Sequence, residues 1–345
     1  MARIYFFILF QFEISDILCK ILIKLMKILV TGGAGYIGSI TNRLLQKEGY
    51  DTVVFDNLKH GYKENVSGKL IVGDLLNKDD LTKLRGENFD SVIHFAALAL
   101  AGESMKKPYE YLENNILGGL NLLEFMREEN VDSIVFSSTC AIYGAPKKLP
   151  VTEEEEKKPD SVYGESKLTF ERILSWYDRI YNIKHMNLRY FNAAGGSLDG
   201  KLGENHNPET HLIPRAIMAA LGKLELELYG NDYDTSDGSA IRDYIHVEDL
   251  AWAHILAMSK LKKDQESDNF NLGVGRGYSN LEVIEMVKKV SGTDFEVKQA
   301  PRREGDPQAI YSDNSKAQTD LKFNPKYSDL KTIVETAWKW HASNS

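Results

Sequence analysis

The sequence is poor in cysteine and has no long apolar segment. Its 345 residues include two cysteines, Cys19 and Cys140. This leaves little scope for a disulfide framework and is typical of a reducing compartment such as the cytoplasm. The apolar run from Ile4 to Phe12 is too short to span a bilayer. We therefore expect no membrane-spanning helix and a cytoplasmic protein.

Excess positive charge and metal-ligand spacing are also missing. Lysine and arginine number 42 against 50 aspartates and glutamates, which gives a net charge of −8. A chain without a basic surface is not expected to bind nucleic acid. The eight histidines show no paired spacing, so no metal site is predicted.

The first 25 residues differ from the rest of the chain. They resemble a signal peptide in having Arg3 before an apolar stretch, but no small-x-small cleavage site follows. A second methionine, Met26, stands directly before the first predicted strand. One hypothesis is that residues 1–25 are an upstream translation artefact outside the fold. The alternative is a signal-like or membrane-contacting arm, and a chain starting at Met26 that lost folding or activity would favour it.

From Lys27 onward, apolar runs alternate with helical patterns. Strands are predicted at 27–32, 51–56, 91–97 and 133–138, with a helical stretch over 109–130. Such alternation is typical of a parallel sheet with helices on both faces. The fold class is therefore α/β, a Rossmann-type doubly wound sheet with a smaller C-terminal lobe that is interleaved in sequence.

A glycine-rich turn follows the first strand and opens a helix. Gly32, Gly35 and Gly38 are spaced G-x-x-G-x-x-G, and Asp56 ends the second strand 21 residues after Gly35. Bare backbone at a helix N-terminus lets a pyrophosphate approach free N–H groups. A carboxylate at the end of the second strand accepts hydrogen bonds from an adenosine ribose. Together these features predict bound NAD rather than NADP.

Three Tyr-x-x-x-Lys pairs occur in the chain, where about one or two are expected by chance. Tyr143–Lys147 contains Pro146 and reads as a loop, and Tyr327–Lys331 reads as a surface pair at a helix start. Tyr163–Lys167 opens a helical apolar pattern, which stacks the two side chains one turn apart. Only this third pair is placed for chemistry.

A lysine beside a tyrosine suits proton transfer. A phenol has a pKa of about 10, and a nearby ammonium together with a positive nicotinamide lowers it. Tyr163 is therefore predicted to take a proton from a substrate hydroxyl. Thr139, in a Ser-Ser-Thr sequence at the end of a predicted strand, is placed to relay that proton.

Many motifs in the same order resemble those of the extended short-chain dehydrogenase/reductase family, most closely its UDP-sugar 4-epimerases. They include VTGGAGYIGS, FSSTCAIYG, YGESK, LRYFNAAG and IRDYIHVEDLA, and the resemblance extends from Met26 to the C-terminus. It implies an isomerase that inverts C4 of a UDP-hexose, interconverting UDP-glucose and UDP-galactose through a transient 4-keto sugar and tightly held NAD. Tyr163 would be the base, Thr139 its relay and Lys167 the residue that tunes it.

The resemblance also assigns binding residues and a homodimer. Around NAD it places Gly32, Gly35, Tyr36, Ile37, Gly38, Asp56, Asn57, Asp74, Leu75, Phe95, Ala96, Asn114, Tyr163, Lys167 and Phe191. Around the UDP-sugar it places Ser104, Thr139, Tyr163, Asn192, Arg242, Arg303 and Asp306. Two of these, Arg242 and Arg303, carry forked donors that match a diphosphate.

Three positions depart from the family pattern. Ala99 stands where many epimerases have a cofactor-contacting lysine, which is expected to weaken NAD retention without abolishing it. Threonine at 139 keeps the hydroxyl. Ile310 stands at the presumed gate for a substrate N-acetyl group, so acceptance of UDP-N-acetylhexosamines stays open.

Two other functions were weighed. A nucleotide-sugar dehydratase needs an acid and a base next to position 139, where this chain has Cys140 and Ala141. A non-catalytic NAD-sensing module gains nothing from a tuned tyrosine.

For the domains, we expect an NAD-binding domain over 26–192 plus about 243–274, and a substrate lobe over about 193–242 and 275–345.

Overall fold

The computed structural model describes residues 26–303 and 306–344, so the hypotheses about residues 1–25 lie outside the described residues. The strands are β1 Lys27–Thr31, β2 Asp51–Asp56, β3 Lys69–Val72, β4 Ser91–His94, β5 Ser133–Thr139, β6 Lys184–Tyr190, β7 Asn192–Ala194, β8 Leu226–Tyr229, β9 Ile241–Arg242, β10 Tyr244–His246, β11 Asp268–Leu272, β12 Tyr278–Ser279, β13 Val297–Ala300 and β14 Ala309–Ile310. The α-helices are α1 Tyr36–Lys47, α2 Lys78–Leu81, α3 Ala101–Ser104, α4 Pro108–Leu112, α5 Gly118–Glu128, α6 Val162–Tyr181, α7 Leu212–Ala220, α8 Val247–Asp264, α9 Asn280–Ser291, α10 Ser315–Asp320 and α11 Leu330–Ser343.

Seven parallel strands form the main sheet, in the order β11-β6-β5-β4-β1-β2-β3. β1 lies at its centre, between β2 and β4, with Leu29 opposite Val53 and Val30 opposite Ile93. The strand order reverses direction on either side of β1, as in doubly wound sheets, where ligands bind at the carboxyl ends of the strands. The predicted fold class is confirmed.

Both faces of this sheet are covered by helices, which explains why its strands are continuous apolar runs. Ile28 and Val30 of β1 pack with α1 and α8 on one face, in a cluster that includes Leu250. Leu29 faces the other way, against α5 and α6, where Phe170 is fully buried. Alternate residues of one strand therefore fill two separate cores.

The smaller lobe has its own apolar core. Ile217 of α7, Ile284 of α9 and Val334 of α11 are fully buried there, together with Leu228 of β8. Short strand groups β8–β13, β7–β10 and β12–β9–β14 complete the lobe. The proposed residue boundaries between the two domains stay a prediction.

Local structure departs from the sequence-based expectation at three places. The stretch predicted as one helix over 109–130 consists of α4, a π-helical segment Glu113–Leu117, and α5. The strand predicted over 91–97 ends at His94, and Tyr327 precedes α11 instead of opening it. Across the described residues, no helix has both the length and the apolar character that a bilayer crossing needs.

Candidate active site

A cleft of about 830 Å³ lies at the carboxyl ends of the parallel strands. Its volume is in the range of small-molecule sites. The predicted site residues that line it are Gly32, Gly35, Tyr36, Ile37, Gly38, Asp56, Asn57, Asp74, Leu75, Phe95, Ala96, Asn114, Thr139, Tyr163, Lys167, Phe191, Asn192, Arg242, Arg303 and Asp306. Many widely separated parts of the chain therefore meet around one cavity.

The glycine turn brings bare backbone to this cleft. Gly32 has a positive φ of 73°, and a Cβ there would lie 2.5 Å from the backbone nitrogen of Ala96. A Cβ on Gly38 would lie 2.3 Å from the carbonyl oxygen of Gly32. Gly35 is the N-cap of α1, and no side chain caps the helix there. The backbone N–H groups of the first turn are therefore left free toward the cleft. This geometry fits a dinucleotide pyrophosphate.

Asp56 stands at the carboxyl end of β2, beside the glycine turn. Its carboxylate accepts hydrogen bonds from the backbone N–H groups of Ala34, at 3.0 Å, and Leu58, at 2.8 Å. These two bonds fix the carboxylate between the turn and the next loop. Asn57 donates to Asp74 at 3.1 Å, which joins the ends of β2 and β3. The arrangement suits an adenosine ribose.

Tyr163 and Lys167 lie one turn apart at the start of α6. Ser161 caps this helix by accepting from the N–H of Gly164 at 3.1 Å. The Lys167 ammonium donates to the carbonyl oxygen of Ser137 at 2.8 Å and lies 5.9 Å from the centre of the Tyr163 ring. Lys167 is only 3% exposed, so the pair is withdrawn from bulk water. The predicted helical pairing is confirmed.

Burial dominates the ionisation of this pair. It lowers the pKa of Lys167 to about 7. It also raises the pKa of Tyr163 well above its usual value, with Tyr190 adding to that rise and a hydrogen bond with Thr139 opposing it. The desolvation cost therefore sets the pKa of Tyr163 in the protein alone, and the lowering expected from the ammonium together with a positive nicotinamide stays a prediction.

Charged side chains line the opposite wall of the cleft. Arg242 of β9 forms an ion pair with Asp306, and Arg303 stacks over the ring of Tyr229 at 4.0 Å. Asn192 donates to the carbonyl oxygen of Asp243 at 2.9 Å, which ties β7 to the loop before β10. Two guanidinium groups thus face the cavity at the end away from the glycine turn.

Two residues lie elsewhere than the sequence suggested. Ser104 is fully buried behind the cleft wall, where its hydroxyl accepts from the N–H of Tyr163 at 3.1 Å. It therefore supports the N-terminus of α6 from behind. Ile310 is 6% exposed and packs with Ile142 and Phe191 beneath the cavity. Because Phe191 lines the cleft, Ile310 lies directly behind its wall, and its effect on a substrate N-acetyl group stays a prediction.

One polar group in the cleft was not predicted from the sequence, the acid–histidine cluster of Glu204, His206, Glu209 and His211. It lies in the loop before α7, and Glu204, His206 and His211 line the cavity. Its signal in the sequence is a repeat, because two Glu-x-His units stand five residues apart. A search for paired histidines alone passes over that pattern.

Comparison with known proteins agrees with this geometry. The sequence profile described as "NAD dependent epimerase/dehydratase family" matches residues 28–273. A UDP-glucose 4-epimerase of Lactobacillus helveticus is 48% identical over 323 residues, covering 92% of this chain and 98% of that protein.

Two solved structures are also similar. The UDP-glucose 4-epimerase of Brucella ovis in complex with NAD has a TM-score of 0.89 and 46% identity, covering 91% of this chain and 97% of that one. The Bifidobacterium longum enzyme in complex with NAD+ and UDP has a TM-score of 0.88 and 38% identity, covering 92% and 99%. The chain belongs to the NAD dependent epimerase/dehydratase family and, within it, to the UDP-glucose 4-epimerases.

Proposed function

We propose that this chain is an isomerase that interconverts UDP-glucose and UDP-galactose by inverting C4 of the sugar, with NAD as its cofactor. The observation that carries the proposal is that one cleft joins the glycine turn, the Tyr163–Lys167 pair and the guanidinium groups of Arg242 and Arg303. A dinucleotide site, a proton acceptor and a diphosphate site are the three parts this reaction requires.

The residues divide the work between binding and proton transfer. NAD, when bound, supplies the chemistry of taking a hydride from C4 and returning it to the opposite face of the sugar ring. Tyr163 holds the proton of the 4-hydroxyl on its phenol oxygen, and the Thr139 hydroxyl relays it. Lys167 orients the cofactor ribose and favours the phenolate. Arg242 and Arg303 hold the diphosphate.

The test uses the purified full chain. We expect it to convert UDP-galactose to UDP-glucose without added NAD, because the cofactor stays bound between turnovers. The readout is UDP-glucose formed over time. Conversion in neither the absence nor the presence of added NAD would contradict the proposal and favour a sensor or another sugar substrate.

A dehydratase is disfavoured by the residue beside Thr139. Burial, reinforced by Asp243, raises the pKa of the Cys140 thiol to about 12, so it is neither an acid nor a base of use near neutral pH. Formation of a 4-keto-6-deoxy product would overturn this view.

Initial rates on UDP-galactose and UDP-N-acetylgalactosamine, measured side by side, decide whether N-acetylated sugars are also substrates.

We further propose a cytoplasmic homodimer joined through helices of the NAD-binding domain. Apolar side chains remain exposed on α4, on the π-helical segment that follows it, and on α6; they are Tyr109, Leu112, Leu117, Trp176, Ile180 and Tyr181. Such a patch is typical of a protein interface. Sedimentation should give a dimer that Ile180→Glu weakens, and a monomeric wild-type chain would contradict the proposal.

A further inference from the structure

The acid–histidine cluster brings four ligand atoms of the types that metals bind to one point. The Nδ1 atom of His206 lies 3.1 Å from Glu204 and 3.9 Å from Glu209. The Nδ1 atom of His211 lies 3.9 Å from Glu209 and is in direct contact with Glu204. All four ligand atoms lie within 4.8 Å of one another. Both imidazole rings thus turn the same nitrogen toward both carboxylates.

We propose that this cluster binds a divalent cation of the zinc type. Tetrahedral zinc takes imidazole nitrogens and carboxylate oxygens at about 2.0–2.2 Å, which separates neighbouring ligand atoms by roughly 3.3–3.5 Å. The separations of 3.1 and 3.9 Å enclose that value. Two nitrogens and two oxygens fill a four-coordinate site, and on binding the ligand atoms of Glu204 and His211 must move apart while the more distant ligand atoms move together.

Burial and charge support a cation at this point. Glu204 and Glu209 are only 4% and 8% exposed. Two carboxylates held together away from water are costly unless positive charge neutralises them. Protons on His206 and His211 supply that charge without a metal, and a divalent ion that displaces these protons supplies it with both histidines neutral, as metal ligands must be.

The position of the cluster indicates what the cation does. The loop that carries it lines the cleft and runs directly into α7. Four ligands from eight consecutive residues would close this loop into one rigid turn beside the Arg303 side of the cavity. The cation therefore orders the wall that meets the UDP-sugar and takes no part in proton transfer. Its removal should raise the KM for the sugar more than it lowers kcat.

The test measures metal binding directly, with turnover as a separate readout. The full chain is treated with a chelator, dialysed and titrated with Zn²⁺ alone by calorimetry, and bound zinc is counted by elemental analysis. We expect about one zinc per chain. Even outer-shell substitutions at metal sites cost about 10–100-fold in affinity. Glu204→Gln and His211→Gln, which remove direct ligands, should therefore lose at least that much.

Control variants show whether zinc binding depends on the acid–histidine cluster itself. His60→Gln removes an exposed histidine of the cleft wall outside the cluster and should keep the zinc. Tyr163→Phe should keep the zinc while losing turnover, which separates this site from the epimerase proposal. If a cluster variant does not fold, Co²⁺ added to the wild-type chain should still give the visible absorption of a four-coordinate site. No binding by the wild type, or equal binding by both folded cluster variants, overturns the proposal.

Discussion

The two sides of the cleft are built in different ways. The cofactor side consists of the glycine turn and of side chains at the ends of neighbouring strands, so the central sheet fixes its geometry. The sugar side consists of charged side chains far apart in sequence, such as Arg242 of the short strand β9 and Asp306 of a loop, which pair with each other. The first side is rigid through backbone packing, whereas the second depends on charges that a ligand can rearrange. The predictions below test this difference.

The largest effect is expected where the two sides meet, at Tyr163. Tyr163→Phe removes the group that holds the substrate proton and keeps the ring that packs there. General acid–base catalysis contributes about 10²–10⁴-fold to rates. We therefore expect kcat to fall by about that factor in the conversion of UDP-galactose, with an unchanged circular dichroism spectrum.

The matched control is Tyr327→Phe, which alters another Tyr-x-x-x-Lys pair. Tyr327 lies just before α11, where its backbone N–H donates to Asp249 at 2.8 Å. Turnover should stay at the wild-type level in this variant. A Tyr163→Phe enzyme with nearly full turnover would exclude Tyr163 as the base.

Backbone packing on the cofactor side is tested by Gly38→Ala. The added Cβ would lie 2.3 Å from the carbonyl oxygen of Gly32 and 2.9 Å from the Cα of Gly33. Because backbone atoms cannot move aside easily, the overpacking is expected to lower the free energy of unfolding by about 1–3 kcal/mol. We expect a lower Tm and less NAD per purified chain, measured by thermal unfolding and by absorbance of the released cofactor.

Gly102→Ala is the corresponding control. Apart from its chain neighbours and the backbone of its own helix, no described atom lies within 4 Å of a Cβ at this position. The substitution should change stability by less than about 0.5 kcal/mol. Equal losses of NAD in the two variants would refute the view that close backbone contact builds this side.

The same difference explains what the sequence could predict. Strands β1, β2 and β5 and the Tyr163–Lys167 turn follow from local periodicity, because adjacent residues fix them. The burial of Ser104 and Ile310 could not be predicted, because it depends on which helices pack behind the cleft. The acid–histidine cluster was missed because its convergence depends on how one loop folds back on itself. The balance between burial and charge at Lys167 also needs three-dimensional coordinates.

Charge on the sugar side is tested by two neighbouring arginines. Arg303 stacks on Tyr229 at 4.0 Å and lines the cleft, whereas Arg302 stacks on Tyr233 at 4.1 Å and pairs with Asp232. A hydrogen bond to a charged group contributes about 1.5–3 kcal/mol. Arg303→Ala should therefore raise the KM for UDP-galactose by roughly 10- to 100-fold while NAD content stays unchanged.

Arg302→Ala, which removes the same charge and a similar ring contact, should leave the KM near the wild-type value. Initial rates over a range of UDP-galactose concentrations provide the comparison. If both variants raised the KM equally, the general charge of the surface, and not a diphosphate contact, would explain the effect. If Arg303→Ala instead lowered the NAD content, the sugar side and the cofactor side would not bind their ligands independently.

The smallest expected effect is on the free energy of unfolding, which the burial of Lys167 on the cofactor side lowers. Burial lowers the pKa of Lys167 from 10.5 to about 7 in the folded protein. Between those values the unfolded chain binds more protons than the folded one, so this residue makes stability rise with pH. In NAD-free protein, Lys167→Met should raise the Tm, by the largest margin near pH 7 and by a shrinking margin toward about pH 10. Thermal unfolding of both proteins across this window measures the margin. A constant margin would mean that the lysine stays charged in the folded state throughout this window, as it does in the unfolded chain, and that burial does not lower its pKa.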